Sequence, residues 1–509
     1  MSRRYRAPTV NRAVLAEPGF DSLPALVEAN RKQLDRADVI AGGIALRELR
    51  ARARREVLEL AREASRDRDG ANQSVTAHVA GPLSPDRGSL PERGSPDAPL
   101  ILAGHQPELA HPGVWVKNFA LNGLARKLGG VPLNLVVDND TLKSAALRFP
   151  VVHDRDPSAV RLESLAFDAF SGEVPYEDRR IEAPGEFDSF ADRARPLWGN
   201  WGYEPLLPRV WSGAVRRAPA ALVGARFTAA RRHYEREWGC HNLELPVSRL
   251  AQTDAFGRFA RHVLNDLPRF RAVYNAAVRT YREANGIRSA NHPAPDLAAG
   301  EAPFWVRTSE GKRQRATPTS AGRLLRPRAL TLTLFARVCL GDFFIHGIGG
   351  GKYDEVTDAI IRDYFEIEPP AYQVLSATLH LPLAAFPSAP DDRTRAERRV
   401  RDLFWNPQRY LSAEQRANPD VKALVEAHAA LARSEPPHGR HLERKEWFRA
   451  LQRIESALRP LVADQMPEAE AELARVRSEV EANSVLQRRD YAWVLYPEET
   501  LRPFLQGFL

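Results

Sequence analysis

Three short stretches of this chain crowd histidine, carboxylate, amide and amine side chains together, a mixture suited to proton transfer and to holding an anion. The first is Gly104-His105-Gln106-Pro107-Glu108, followed by His111-Pro112-Gly113 and Lys117. Two histidines around such a turn fit proton transfer or ligand binding, against a plainer role in capping the turn. The second is Asp138-Asn139-Asp140. Its aspartates are alternate residues, so in extended backbone both face one side. The pair suits a base for a substrate amine, an acceptor for a sugar hydroxyl, or Mg²⁺ ligands, and equally helix capping. The third is His346-Gly347-Ile348-Gly349-Gly350-Gly351-Lys352-Tyr353-Asp354. Consecutive glycines let backbone approach a ligand and adopt positive φ, and Lys352, Tyr353 and Asp354 add charge and hydrogen-bonding groups. The spacing before Lys352, and Tyr353 in place of Ser or Thr, exclude a Walker A loop. His105, His111 and His346 with an aspartate match no zinc spacing, so no metal centre is expected. Arg326, before Pro327, offers a planar fork for a carboxylate or phosphate, or for an ordinary salt bridge.

The elements around these residues follow one grammar. The apolar run Leu100 to Ala103 ends in Gly104, and Pro112 opens a helix over 114–128. Val131 to Val137 is a second apolar run, ending in the aspartates. Phe343 to Ile345 runs into the glycines and then a helix over 356–365. Strand, polar turn and helix in that order build an α/β domain whose ligands lie at the carboxyl edge of the sheet, where helix starts offer free N–H groups. The fold expected is α/β: a Rossmann-like core with a mainly parallel sheet, plus a helical, coiled-coil-like arm.

Composition narrows the function classes. The chain has 509 residues, 43% of them hydrophobic, enough for a large core in two to four structural units. Two cysteines, Cys240 and Cys339, exclude a disulfide framework and fit a reducing cytoplasm. The N-terminal Met-Ser-Arg-Arg-Tyr-Arg has no apolar segment of the secretory kind. No run of about 18 apolar residues marks a membrane helix. Net charge is +8, but basic residues are interleaved with acids and no aromatic-plus-basic module is present, so nucleic acid is not an expected partner. Only eight of the 73 basic residues are lysine. Lys117, Lys143 and Lys352 fall in or just after the three stretches, where a compact, tunable ammonium would have a use.

Along the chain, 1–97 reads as a helical segment and a Pro/Gly/Ser-rich linker. Residues 98–385 read as the α/β core with a helical insertion over about 176–285. Residues 386–490, rich in Arg, Glu, Ala and Leu, read as long helices with mixed-charge faces, and 491–509 as a tail returning to the core.

Taken in order, the motifs resemble the cysteine-adding enzyme family of bacillithiol biosynthesis (BshC). Gly104-His105-Gln106 stands at that family's Gly-Gln-Gln turn, His111-Pro112-Gly113 and Lys117 at its Gly-Pro and helix lysine, and Asp138-Asn139-Asp140 at its Asp-His-Asp. Leu325-Arg326-Pro327, Ile348-Gly349-Gly350 and the tail's Pro503-Phe504-Leu505 follow in the family's order. His105 replaces a glutamine, Asn139 a histidine and Gly351 a proline. The resemblance implies a small-molecule ligase or transferase of low-molecular-weight thiol biosynthesis. It would join an amino acid, cysteine in the family, to an anionic amine-bearing substrate such as an amino sugar. His105 would be general acid or base, and Asp138, Asp140 or Asp354 would orient or deprotonate the amine. Gly104, Gln106, His111, Lys117, Asn139, Arg326, His346, Gly349, Gly350, Gly351, Lys352 and Tyr353 would bind substrate or cofactor. Amide formation in water needs an activated carboxyl, which calls for ATP, ADP or another nucleotide with Mg²⁺, or a pre-activated substrate. A cytoplasmic homodimer joined through the arm is the expected assembly. The alternative is a non-catalytic nucleotide- or metabolite-binding, or scaffold, protein on the same fold.

Overall fold

Strands buried on both faces are near-continuous apolar runs, and three of the runs above become the centre of one sheet. A computed structural model describes the chain except residues 1–4, 77–97, 154–155, 217, 219, 289–294, 309–310 and 321–323. Its main sheet has six strands: β1 (Val14–Glu17), β2 (Leu100–His105), β3 (Val131–Val136), β4 (Leu243–Pro246), β5 (Phe343–His346) and β6 (Gln373–Ala377). Their order across the sheet is β1-β6-β5-β2-β3-β4. β6, β5, β2, β3 and β4 are parallel, and β1 closes one edge antiparallel to β6. The fold is thus α/β with a mainly parallel sheet.

The parallel strands follow the order of a doubly wound sheet. From β2 the chain moves one way to β3 and β4, then returns to lay β5 on the other side of β2. The reversal falls between β2 and β5, the place at whose carboxyl edge open α/β sheets bind ligands. Register puts both ends at one edge, with Phe343 opposite Ile101 and Ile345 opposite Ala103.

Period-two alternation divides the sheet's faces. Leu100, Leu102, Leu133, Leu135, Leu243 and Leu245 face a core shared with α2 (Leu46–Thr76) and α5 (Ile348–Phe365). Ile101 and Ala103 face the other way, toward α3 (Pro112–Lys127), which packs on β2, β3 and β6. Pro112 sits at the first helical position, where its missing N–H costs nothing. α3 is buried on nearly every side, so its polar residues must find partners inside the protein. α4 (Val223–Glu237) supplies some of them. A small antiparallel sheet, with Phe304–Arg307 between Arg313–Arg315 and Leu325–Pro327, stands apart from the main one.

Two local expectations change. The glycine segment is not a loop before a helix at residue 356: α5 begins at Ile348, so the glycines form its first turn, and none of the three has a positive φ. Within 1–97, α2 continues through Thr76 into the Ser-, Asp- and Gly-containing stretch after residue 64 that reads as linker, and residues 77–97 lie outside the described residues.

The chain divides into two compact units. One comprises 1–149, 164–382 and 489–509, so both the N-terminal segment and the tail belong with the sheet. The other comprises 150–163 and 383–488. It holds α6 (Pro390–Trp405), α7 (Pro419–Arg433), α8 (His441–Leu458) and α9 (Met466–Leu486). α6 pairs with α9 and α7 with α8, over a core that includes Leu403, Leu411, Val421, Leu458 and Val462. Among the described residues, no helix is long and apolar enough to cross a membrane.

Candidate functional site

Lys117 lies where the strand order reverses. α3 carries it back over the end of β2, where its Nζ donates to the Gly104 carbonyl at 2.9 Å. Gly347, at the end of β5, lies across this reversal, and a Cβ there would be 3.8 Å from Nζ. The side chain is buried, and among the described residues no carboxylate is within 4.0 Å of its ammonium. Burial lowers the lysine's pKa to about 8, with Glu108 partly opposing. Lys117 is therefore an amine poised between its two protonation states near neutral pH.

His105 projects from the end of β2 on the α3 side. Its Nδ1 is 3.1 Å from the Gln106 carbonyl and its Nε2 is 3.7 Å from Glu108. Burial, then the Lys117 charge, pushes it down to about 3. His111 immediately precedes α3 without a side-chain cap bond, and burial with the Arg489 charge lowers it to about 4. Both imidazoles are neutral at physiological pH. Neutral, they can donate or accept hydrogen bonds to a ligand.

The aspartate segment separates into three fates. Asp138 accepts from the Ser248 N–H at 2.8 Å and from its hydroxyl, capping the short helix Val247–Leu250; burial raises it to about 6. Asn139 is buried and donates to the Pro327 carbonyl at 2.8 Å. Asp140 alone meets the first stretch, accepting from Gln106 Nε2 at 2.9 Å and from Arg313 Nη1 at 3.1 Å. Helix capping accounts for Asp138, and the pair does not act as one unit.

The third stretch reaches the same edge, but its histidine and aspartate turn to the opposite side of the sheet. His346 stacks on Phe344 with ring centroids 4.2 Å apart, and its Nε2 is 2.9 Å from Asp354. Asp354 also accepts from Arg337 at 2.7 Å; despite burial, Arg337 and His346 hold its carboxyl below the usual range. His346 and Asp354 are buried inside this network rather than joined to Lys117. Arg326 is likewise engaged internally, with its guanidinium on Glu177 at 2.8 Å. Arg326 and Asp354 thus each hold an ion pair inside the protein.

The glycines serve close approach. A Cβ on Gly350 would lie 2.8 Å from His346 Nδ1, and one on Gly351 would lie 2.3 Å from Val374 Cγ2, whereas Gly349 faces open space. Lys352 is exposed and Tyr353 half-buried, its ring 6.4 Å from that of Tyr281. α5 starts at this edge, so the N–H groups of Ile348, Gly349 and Gly350 have no partner within the helix.

Near the end of β2 a small cleft, with room for about 20 Å³, is lined by His105, Gln106, Glu108, Trp115, Asn118, Asn134, Arg231 and Trp493 among others. Behind it lies a buried polar network. Glu235 accepts from Trp115 at 2.6 Å, Asn118 at 2.7 Å and Arg231 at 2.6 Å. Arg231 also meets Glu244 at 2.6 Å, and Asn134 donates to Glu244 at 2.7 Å. Burial raises Glu235, while Arg231 and Arg232 hold Glu244 low despite its burial. The tail closes the far wall, with the Trp493 N–H on the Ala110 carbonyl at 2.9 Å and its ring 4.6 Å from that of Trp115. Sequence reasoning missed Arg231, Asn118, Asn134 and Arg313. Asn118 adjoins Lys117 and Asn134 interrupts the second apolar run, but their partners Glu235 and Glu244 are remote; Arg231 and Arg313 come from distant segments, and in an arginine-rich chain nothing singles out two arginines.

Among the described residues, no group of three or more His, Cys, Asp or Glu side chains is arranged to hold a metal ion. No family model matches the chain, and no curated protein matches it in sequence.

Proposed function

We propose that the crevice between β2 and β5, with the adjoining cleft, is the active site of a small-molecule ligase or transferase. It forms a C–N bond between an amino acid and an anionic, amine-bearing substrate, the reaction that the resemblance to the cysteine-adding family implies. One observation carries this reading: a buried lysine with no carboxylate within 4.0 Å among the described residues, pulled to about 8, at the topological switch point of a doubly wound sheet.

In this reaction the amine nitrogen attacks an activated carbonyl carbon, and the leaving group departs with its electron pair. The proton lost by the amine goes to the neutral form of Lys117. The first-turn amides of α5 suit a phosphate or carboxylate of the substrate, with Gly349 leaving the approach open. The same amides would hold a nucleotide phosphate, and a bound nucleotide would supply carboxyl activation. Neutral His105 and the Gln106 amide hydrogen-bond the substrate in the cleft.

The internal engagement of Asp138, Arg326, His346 and Asp354 favours a second reading, a metabolite-binding protein without turnover. Lys117→Met separates the two. Removing a buried charge should leave thermal stability equal or higher, by about 1–2 kcal/mol. Turnover of an amino acid with an amino-sugar acceptor should fall by at least about 10²-fold. Unchanged turnover would overturn Lys117 as base, and binding without turnover in the wild type would favour the second reading. We further propose a homodimer joined through the helical unit, which exposes Phe404, Trp405, Leu442 and Phe448.

A further inference from the structure

We infer that Arg313 and Asp140 are positioning residues that hold the Gln106 amide with its carbonyl oxygen toward the cleft, so that the site selects an amine at that point. The inference rests on the proposed amine-bearing substrate and deepens that reading by naming what recognises the amine.

Gln106 lines the cleft. Its Nε2 donates to Asp140 Oδ2 at 2.9 Å. An ionised carboxylate only accepts, so this contact decides which end of the amide faces Asp140. The other end, Oε1, has no partner among the described residues and is not sealed from solvent. It is an acceptor held ready, and Glu108 on the same loop, 48% exposed at its side chain, adds negative charge nearby. Together they suit an ammonium or amine, and they disfavour a carbonyl or carboxylate at the same point.

Asp140 is itself held. Its Oδ1 accepts from the Thr141 N–H at 2.9 Å and from Arg313 Nη1 at 3.1 Å, and Arg313 also reaches the Asn139 carbonyl at 3.3 Å. Arg313 belongs to the small antiparallel sheet. Its guanidinium lies over the Trp305 ring, 4.7 Å from the centroid. Arg328 covers the same ring at 4.4 Å and ion-pairs with Glu301 at 2.7 Å. A planar cation fixed by an aromatic face and by a carboxylate keeps one orientation. The relay thus runs from Trp305 through Arg313 and Asp140 to Gln106.

Matched probes test it: glucosamine 6-phosphate and 2-deoxyglucose 6-phosphate share an anion and differ by one amine. Calorimetry on the full chain should find the amine probe bound about tenfold more tightly. In Asp140→Asn the new amide NH₂ can donate to Gln106 Oε1 and turn Gln106 round, so the preference should vanish or invert. Arg313→Met keeps the packing on Trp305 and should give an intermediate ratio. Equal affinity of the wild type for the two probes, no measurable binding of either, or an unchanged ratio in Asp140→Asn would each overturn the inference. A ligand-free readout guards against misfolded variants. The Gln106 side-chain ¹⁵N–¹H pair, assigned by its absence in Gln106→Glu, should show one downfield, slowly exchanging proton in the wild type and not in Asp140→Asn; identical spectra contradict the relay. Failure here is separable from failure of the base. A retained amine preference with turnover indifferent to Lys117→Met removes only the base, and the converse removes only the relay.

Discussion

Burial sets the chemistry of the side chains at the sheet edge. It brings the Lys117 pKa down toward neutrality, with Glu108 partly opposing, and keeps His105 and His111 uncharged, because each charged form loses hydration that its partners only partly replace. The histidines carry a signature in stability. Unfolded, they titrate near 6.5; folded, at about 3 and about 4. Between those values the unfolded chain binds more protons, so their contribution is complete above pH 6.5 and is lost as pH falls below it. Asp138 works in the opposite sense, since a carboxyl raised to about 6 takes its proton first in the folded state and adds stability as pH falls from 6 toward 4. Comparing the wild type with the double variant His105→Asn, His111→Asn cancels the Asp138 term. His105 is a quarter exposed, so the histidine effect is discounted for remaining hydration. Between pH 7 and 4.5 the wild type should lose about 1–2 kcal/mol more than the double variant, read from urea midpoints. Equal losses would contradict the neutral imidazoles.

At the scale of elements, backbone clearance decides where α3 and α5 can sit. Gly113, in the first turn of α3, lies so close to β6 that a Cβ would be 2.0 Å from the Ala377 carbonyl oxygen. Gly113→Ala should cost about 3 kcal/mol or more, because backbone must move on both sides. Gly349→Ala, in open space on α5, should stay within about 0.5 kcal/mol. Denaturant unfolding of the two variants checks this, and similar costs would mean that packing is not what the glycines serve. The same elements show what the sequence made legible. The runs Leu100–Ala103, Val131–Val137 and Phe343–Ile345 announced buried parallel strands, because such strands carry no polar alternation. β1 was not legible, being four residues that pair with Val374–Ala377 far downstream. The polar turns after β2 and β3 could be located from the sequence, but not which side chains remain available there. Ser248 engages Asp138, Glu177 engages Arg326 and Arg337 engages Asp354, all across long sequence separations. The glycine run signalled close approach, but whether to a ligand or to a neighbouring strand depends on packing that no local pattern encodes.

Across the whole molecule, the chain forms two compact units. The sheet unit gathers the crevice, the cleft and the small antiparallel sheet that bears Arg313. The helical unit has its own core and contributes no residue to the cleft. Long helices with mixed-charge faces and exposed Leu442 and Phe448 suit self-association. Light scattering of the full chain should give twice its 56.9 kDa mass, and Leu442→Glu with Phe448→Glu should return it to the monomer. A monomeric wild type would sink the proposed dimer and leave the cleft unaffected.

The central claim, that Lys117 is an amine poised near neutrality, can be measured without knowing the substrate. Only eight lysines are present, so competitive trace acetylation from pH 6 to 11 followed by peptide mass spectrometry can follow each one. Lys117 should reach half-maximal reactivity at about 8, below the ordinary lysine value of about 10.4. A Lys117 that titrates with the exposed lysines, or that stays unreactive at every pH, would contradict its assignment as the base of this site.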